Sequence, residues 1–281
     1  MDRSTHEHWE RLAALHGTGE DRYYRLDDLV AGGSLMGDAE TAALGRATAG
    51  AGLAGRDVMH LQCHIGCDTI TMARAGARVT GVDFSATALA RLRELATRCG
   101  VSVSTLEADA AALPHDVDSS FDLVYATVGV LCWIDDLDAW MSGVARALRP
   151  TGTLVLVEMH PILQMIDTIE PLDFDFPYQF DGPHQFSGVG SYANRDADVT
   201  WTTTVFAHGL AEVITAATGA GLVMTFIEEH LSMSFNPVDM SQPLEPDGRF
   251  RLRLGRSPTP SGRLPEPLPV LYTLIATKPH A

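Results

Sequence analysis

The sequence predicts a doubly wound, mostly parallel α/β sheet with helices on both faces. Three observations carry that expectation. From Asp57 onward, short runs rich in β-branched residues alternate with stretches of helical period, the pattern of successive βαβ units. Seven strand-like runs can be counted between Asp57 and Thr277, and a sheet of seven strands accommodates them all. The chain of 281 residues is 46% hydrophobic and 20% charged, enough to bury one large core.

Taken in order, residues 1–50 read as an N-terminal helical cap carrying His6, His8 and His16, all expected to be exposed. The first strand is 57–62, followed by a helix over 68–75 and a second strand over 77–83. Ser85 is a good N-cap for the next helix, which places Leu89, Leu92 and Leu95 on one face. Strands are expected at 101–106 and 121–126. An amphipathic helix over 135–148 stops at Arg149-Pro150, because proline cannot continue it. A fifth strand covers 153–158. Residues 161–207 show no sustained period and read as an insertion covering a substrate. A helix at 209–220, a strand at 222–228 and a last strand at 269–277 complete the sheet, with a Pro-, Gly- and Arg-rich loop over 236–266. We read 1–281 as a single domain, with 55–160 as its ligand-binding core and 208–281 as the C-terminal part of the sheet.

Composition removes several function classes. Acidic residues outnumber basic ones by 36 to 20, a formal charge of −16 that repels phosphate backbones, so no nucleic-acid partner is expected. No apolar stretch approaches the roughly 18–20 residues needed to span a bilayer, so no membrane partner is expected either. His6, Glu7, His8, Glu10 and Arg11 interrupt any signal-like apolar run. Cys63, Cys67, Cys99 and Cys132 are spread through the core, which suits free thiols in a reducing cytoplasm. Cys63 and Cys67 with His60 and His64 suggest zinc at first sight. They join a strand to a helix with no second ligand pair at a zinc-site spacing, so no metal is expected. The oligomeric state stays open, a homodimer included.

Ligands of doubly wound sheets sit outside the carboxyl ends of the strands, where strand order reverses. The residues after each strand are therefore the informative ones. They are Gln62, Cys63 and Gly66 in the first loop, then Asp83, Phe84 and Ser85, then Asp109 and Ala110, and finally Thr127 and Trp133 after the fourth strand. A carboxylate at Asp83 can accept both hydroxyls of a ribose, and one at Asp109 can accept from a purine's exocyclic amine. Both can equally serve as strand-end caps. The set describes a nucleoside site without phosphate neutralisation, and neither a P-loop nor a Gly-x-Gly-x-x-Gly fingerprint is present.

The stretch from Val58 to Asp83 (VMHLQCHIGCDTITMARAGARVTGVD), Asp109 in LEADAAALP, and the run FDLVYATVGVLCWIDDLDAWMSGVARALRPTGTLVLVE together resemble the class I S-adenosylmethionine methyltransferases. The resemblance covers residues 55–160 and implies a final antiparallel strand and S-adenosyl-L-methionine as cofactor. It implies that Gly66 lines the methionine-sulfonium end, that Asp83 holds the ribose, and that Asp109 with Ala110 holds the adenine. His60, Gln62 and His64 stand where the family carries an acidic residue and two glycines. Tyr23 and Tyr24 fall in a segment that folds over the cofactor in this family. Their π faces, like that of Trp133, can flank a sulfonium or simply pack.

The implied activity is methyl transfer to an oxygen or nitrogen of a small molecule. His160, after the fifth strand, and His208, opening a late helix, are the candidate general bases, with an ordinary polar loop role as the alternative for each. The aromatic and acidic segment 174–181 can act as a lid or as a packing surface. Two other readings stay open. One is a protein of this fold that binds the cofactor without transferring methyl. The other is a nicotinamide-dependent oxidoreductase, for which Gln62, Cys63 and His64 form a poor pyrophosphate cradle.

Overall fold

In a computed structural model, residues 3–18, 23–169, 172–235, 245–253 and 267–280 are described. Three helices precede the sheet: α1 (Arg3–Leu15), α2 (Leu26–Val30) and α3 (Asp38–Ala47). Strand and helix then alternate through β1 (Asp57–Leu61), α4 (Cys67–Arg74), β2 (Arg78–Asp83), α5 (Ala86–Arg98), β3 (Ser104–Glu107), β4 (Phe121–Thr127), α6 (Leu137–Ala147) and β5 (Leu148–Met159). The second half adds α7 (Pro161–Gln164), β6 (Ile166–Ile169), β7 (Leu172–Phe174), β8 (His184–Val189), β9 (Thr200–Val205), α8 (Leu210–Gly219), β10 (Val223–His230), β11 (Leu252–Arg253), β12 (Pro267–Leu268) and β13 (Leu271–Thr277).

Seven strands form the main sheet in the order β10-β13-β5-β4-β1-β2-β3. The pairs from β3 across to β5 are parallel, and β13 runs antiparallel to both β5 and β10. The sequence expectation of a mostly parallel seven-stranded sheet with an antiparallel last strand holds. Strand order reverses between β1 and β4, which puts the binding crevice at their C-terminal tips.

Helices cover both faces, so the central strands are apolar on both sides. Alternation in β5 shows how one strand serves two cores. Leu154 and Leu156 pack in the cluster with Trp140 and Val144 of α6 and Val213 of α8. Val155 and Val157 pack in the other, with Leu44 of α3 and Met72 of α4. Each fully buried side chain of this size is worth about 1.5–3 kcal/mol. Leu89, Leu92 and Leu95 of α5 meet Ile70 of α4, Leu29 of α2 and Cys63 in a third cluster, and Ser85 caps α5 by accepting from the Ala88 amide (3.0 Å).

The Leu-Arg-Pro-x-Gly turn has a clear physical basis. Arg149 Nη1 donates to Asp57 Oδ2 and Asp122 Oδ1, both at 2.8 Å, which ties the starts of β1 and β4 to the turn. A Cβ at Gly152 would lie 2.9 Å from the Arg149 carbonyl oxygen and 3.1 Å from that of Phe121.

Two regions depart from the sequence reading. Residues 161–207 are not patternless: β6 pairs with β7, and β8 with β9, as antiparallel ribbons. β9 is threonine at four of its six positions, and the adjacent Thr203 and Thr204 are both buried where α1 packs on the ribbon. Polar by composition, the strand shows no apolar period. The second departure is the N-terminal helix, where His8 and His16 are buried instead of exposed. Of the loop 236–266, only 245–253 fall among the described residues. There Met233 pairs with Phe250 across an isolated bridge and Leu252 with Leu268.

Candidate active site

The turn between β1 and α4 is the centre of the site. Gln62 and His64 adopt left-handed backbone at φ +51° and +49°, and Gly66 follows at φ +78°. Non-glycine residues rarely sit there, at a cost of order 1–3 kcal/mol each, so neighbours must hold them. Gln62 is held by its own side chain: Nε2 donates to the Val130 carbonyl (3.0 Å) and Oε1 accepts from Trp140 Nε1 (3.1 Å). The amide of His64 donates to Asp83 Oδ2 (2.8 Å). Gly66 admits no side chain, since a Cβ would fall 2.2 Å from Leu92 Cδ1. Cys63 is buried, and its thiol sits under Gly81 with no room for another side chain between them.

Asp83 ends β2 and is 7% exposed. Its second oxygen, Oδ1, accepts from the Ser85 amide (2.9 Å). Burial pushes its pKa up to about 6, against the pull of the two amides. No Lys or Arg pairs with it among the described residues. Phe84 stands beside it with its ring against His6, 5.3 Å between centroids. After β3, Asp109 caps a short 3-10 turn by accepting from the Ala111 amide (2.9 Å), and Ala110 is buried beneath it.

The loop after β4, from Thr127 to Trp133, is organised by Glu158, a residue sequence reasoning passed over. Its carboxylate accepts from four amides: Gly129 (2.5 Å) and Met159 (2.6 Å) on Oε1, Val130 (2.8 Å) and Leu131 (2.9 Å) on Oε2. Trp133 folds back, with Nε1 donating to the Gly129 carbonyl (2.9 Å). The signal was present in the sequence as a lone acid ending an apolar strand.

The N-terminal helix closes over these tips. Trp9 meets Trp133 edge-on at 5.3 Å and His64 at 5.2 Å. Just beyond α1, fully buried His16 places Nδ1 2.9 Å from His64 Nε2. Tyr24 stacks on His16 at 5.0 Å, and Tyr192, from the loop between β8 and β9, meets it at 4.7 Å. Burial drives His16 down to about 2 and His64 to about 3, with Arg91 adding to both shifts, so both imidazoles are neutral. Arg91 donates to the carbonyls of Ala13, Ala14 and His16, which fixes the end of α1 against α5. His8 Nδ1 and His16 Nε2 are buried without a hydrogen-bond partner among the described residues. Such orphans are rare in native proteins, and a bound molecule is one standard explanation.

The two histidines singled out as bases are differently employed. His160 Nδ1 accepts from the Ile162 amide as the cap of α7, while Nε2 contacts Glu229 Oε1 (2.9 Å). His208 Nε2 faces the Ile134 carbonyl (2.7 Å) and Nδ1 faces Glu212 Oε1 (3.1 Å). Neither ring can take a proton from a substrate without giving up a contact. Asp68, next to the glycine turn, accepts from Tyr125 OH (3.1 Å), and burial lifts its pKa to about 7 with Glu40 adding to the rise. Among the described residues, no group of three or more His, Cys, Asp or Glu is arranged to hold a metal ion, and no helix is long and apolar enough to cross a membrane.

Residues 58–152 match the methyltransferase domain family. An uncharacterised methyltransferase of Synechocystis is 31% identical over 152 residues, 53% of this chain and 60% of that protein. The demethylmenaquinone methyltransferase of Thermus thermophilus is 41% identical over 86 residues, 31% of this chain and 38% of that one. The chain thus spans 60% or less of the length of these curated relatives. A solved S-adenosylmethionine-dependent methyltransferase from Mesorhizobium loti shares the fold at a TM-score of 0.56 and 22% identity, over 89% of this chain and 100% of that one.

Proposed function

We propose that the chain is a class I S-adenosylmethionine-dependent methyltransferase with S-adenosyl-L-methionine as cofactor, and that it transfers a methyl group to an oxygen or nitrogen of a small molecule; the match of residues 58–152 to the methyltransferase domain family supports this. One observation carries this reading: the buried Asp83 carboxylate at the tip of β2, held by the amides of His64 and Ser85 with no Lys or Arg pairing to it. A carboxylate at this tip suits a ribose, and the first turn argues against a dinucleotide, because Gln62, Cys63 and His64 stand where a pyrophosphate needs the close backbone approach of glycines.

The residues present fit this cofactor. Asp83 would hold the ribose hydroxyls, Asp109 and the Ala110 amide the adenine, and Gly66 with the Thr127–Trp133 loop the methionine end. The orphaned nitrogens of His8 and His16 fit a polar group in the same crevice. Bound, the cofactor supplies a methyl group on a positively charged sulfur. The chain's task is to align that carbon with a nucleophile and keep water out, and positioning alone can lower the barrier by roughly 7–11 kcal/mol. Trp9, Tyr24 and Trp133 supply an apolar, π-rich wall suited to a sulfonium. The surface charge of −16 favours a neutral or cationic acceptor over an anionic one.

Calorimetric titration with S-adenosylmethionine, S-adenosylhomocysteine and NAD tests the cofactor, and labelled methyl donor with a metabolite extract tests the transfer. Micromolar binding of both sulfur compounds, none of NAD, and label in a small product are expected. NAD binding in place of the sulfur compounds would overturn the reading.

A further inference from the structure

The outer edge of the main sheet is open. β10 ends the strand order, and among the described residues no strand pairs with its outer backbone groups. Natural sheets blunt such an edge with Lys or Pro, because an unpaired row of N–H and C=O groups is a template for another strand. β10 carries neither. Its bulge lies between Met224 and Phe226, and from Phe226 to His230 it pairs regularly with β13. Large apolar side chains stand along this edge, with Val223 54%, Ile227 43% and Leu231 47% exposed.

Two charges beside the edge are unspent. Phe226 and Glu228 line a groove of about 440 Å3 between β10 and α3, with Ala39, Ala42 and Arg46 on the helix side. α3 packs over β5 and β13, which leaves this face of β10 clear. Arg46 lays its guanidinium on the Phe226 ring, 3.8 Å from the centroid. Among the described residues, no hydrogen bond or ion pair engages that guanidinium or the Glu228 carboxylate.

We propose that β10 is a homodimer interface, pairing antiparallel with β10 of a second copy about a twofold axis through Ile227. Residues directly opposite across an antiparallel pair share a face, and a twofold contact repeats every pairing in reverse. With Ile227 opposite Ile227 of the second copy, Phe226 stands opposite Glu228 of the second copy, and the reverse. The guanidinium held on Phe226 then meets a carboxylate that has no partner in its own chain, twice per dimer. On the other face the two Ile227 side chains cover each other. Moving the axis to Glu228 sets two carboxylates face to face, and moving it to Phe226 sets two guanidinium groups together, so charge selects the register. Each copy carries a formal charge of −16. That repulsion is screened beyond about 8 Å at physiological salt, whereas opposite side chains of paired strands lie within about 5.5 Å.

Sedimentation velocity of the full chain over a dilution series reads the dimer, and charge reversal reads its register. Arg46→Glu and Glu228→Arg each replace two attractive pairs with two repulsive ones, and each is expected to weaken self-association about tenfold or more. Mixed in equal amounts, the two variants regain both attractive pairs in one heterodimer, expected to form within about threefold of wild-type affinity. Ile227→Lys sets two ammonium groups at the axis and is expected to be monomeric at every concentration. All three positions are exposed, and circular dichroism checks that the variants fold. A wild-type chain that stays monomeric up to its solubility limit overturns the proposal. So does a dimer that survives Ile227→Lys, or a pair of charge-reversed variants that fails to recover on mixing, because either result puts the contact elsewhere.

Discussion

Replacing Glu158 isolates the contribution of one carboxylate to the loop proposed to close the methionine end of the site. Four backbone amides converge on it, two per oxygen, and the side chain is 1% exposed. A buried donor stripped of its acceptor costs about 1–3 kcal/mol. In Glu158→Gln one oxygen becomes an amine, so whichever way the amide is turned, two of the four N–H groups face another donor. The expected cost is about 2–4 kcal/mol, reduced somewhat because the lost charge was itself expensive to bury. Burial already lifts the pKa of Glu158 against the pull of its four amides. Glu158→Ala strands all four but leaves space for water, which holds the loss to about 3–5 kcal/mol. At this chain length that corresponds to a fall in Tm of roughly 6–15 °C. Urea unfolding followed by circular dichroism measures the stability, and calorimetry with S-adenosylhomocysteine measures the site. Affinity should fall in both variants, because Thr127 to Trp133 lose their shape. If Glu158→Gln unfolds within 0.5 kcal/mol of wild type and binds the product equally well, the amides are satisfied in some other way and the reasoning fails.

Asp83→Asn removes the charge that the ribose reading requires. It should weaken S-adenosylhomocysteine binding by about 1.5–3 kcal/mol, or ten- to a hundredfold, in a variant that still folds; an unchanged Kd would remove Asp83 from the site. Asp68 carries a pH signature. Its folded pKa of about 7 lies above the ordinary 3.8, so between those values the native state holds a proton that the unfolded chain has lost, and stability falls as pH rises. Asp68→Asn should flatten that fall, gaining on wild type by on the order of 2 kcal/mol between pH 4.5 and 7.5 in urea titrations, less than the full linkage value of about 1.4 kcal/mol per unit because water entry softens burial. Equal pH dependence in the two proteins would refute this. At Gln62, alanine keeps the left-handed strain and loses both side-chain tethers, whereas glycine loses the tethers but sheds the strain. Stability should therefore rank wild type, then Gln62→Gly, then Gln62→Ala, with steps of about 1 kcal/mol, and a glycine variant more stable than wild type would show that the tethers contribute nothing.

Legibility followed where the physical signal was local. The sheet could be read because a parallel strand buried on both faces becomes an apolar run, as in Leu154 to Val157, and because Ser85 and the Arg149-Pro150 stop mark helix ends in the sequence itself. The strand-tip turns could be located because topology, given the strands, fixes where strand order reverses. Two things escaped. In the ribbon of β8 and β9, β9 is threonine at four of its six positions and β8 is mostly exposed, so no hydropathy period marks either strand although the two pair residue for residue. His16 looked exposed because His64 and Tyr192, which pack against it, lie 48 and 176 positions away, and no window sees those contacts. His160 reads as a base from its place after the fifth strand and His208 from its place at the opening of a late helix, and neither position reveals what the ring nitrogens contact. The partners that occupy those nitrogens, Glu229 and the Ile134 carbonyl, are 69 and 74 positions distant.

The altered first loop ties these strands together. Where the family resemblance places glycines, this chain carries Gln62 and His64, and the backbone still adopts the positive φ that glycine would take without cost. Two strained residues at about 1–3 kcal/mol each would tend to relax unless something held them. What holds them lies outside the loop: Trp140 and the Val130 carbonyl for Gln62, Asp83 and His16 for His64. Each tether joins the loop to another part of the site, one to the helix and turn after β4, one to the Asp83 carboxylate, one to the N-terminal segment. A glycine loop would be equally tight but independent of its surroundings. Here one of the tethers, the contact of His16 with the His64 ring, comes from the turn after α1, so the shape of the loop proposed to line the methionine end is coupled to the seating of the N-terminal segment. Deleting residues 1–16 should therefore weaken S-adenosylhomocysteine binding far more than loss of direct contacts would, and restoring glycine at both Gln62 and His64 in the deletion should recover part of it. A deletion that binds as tightly as the full chain would show the loop to be self-supporting.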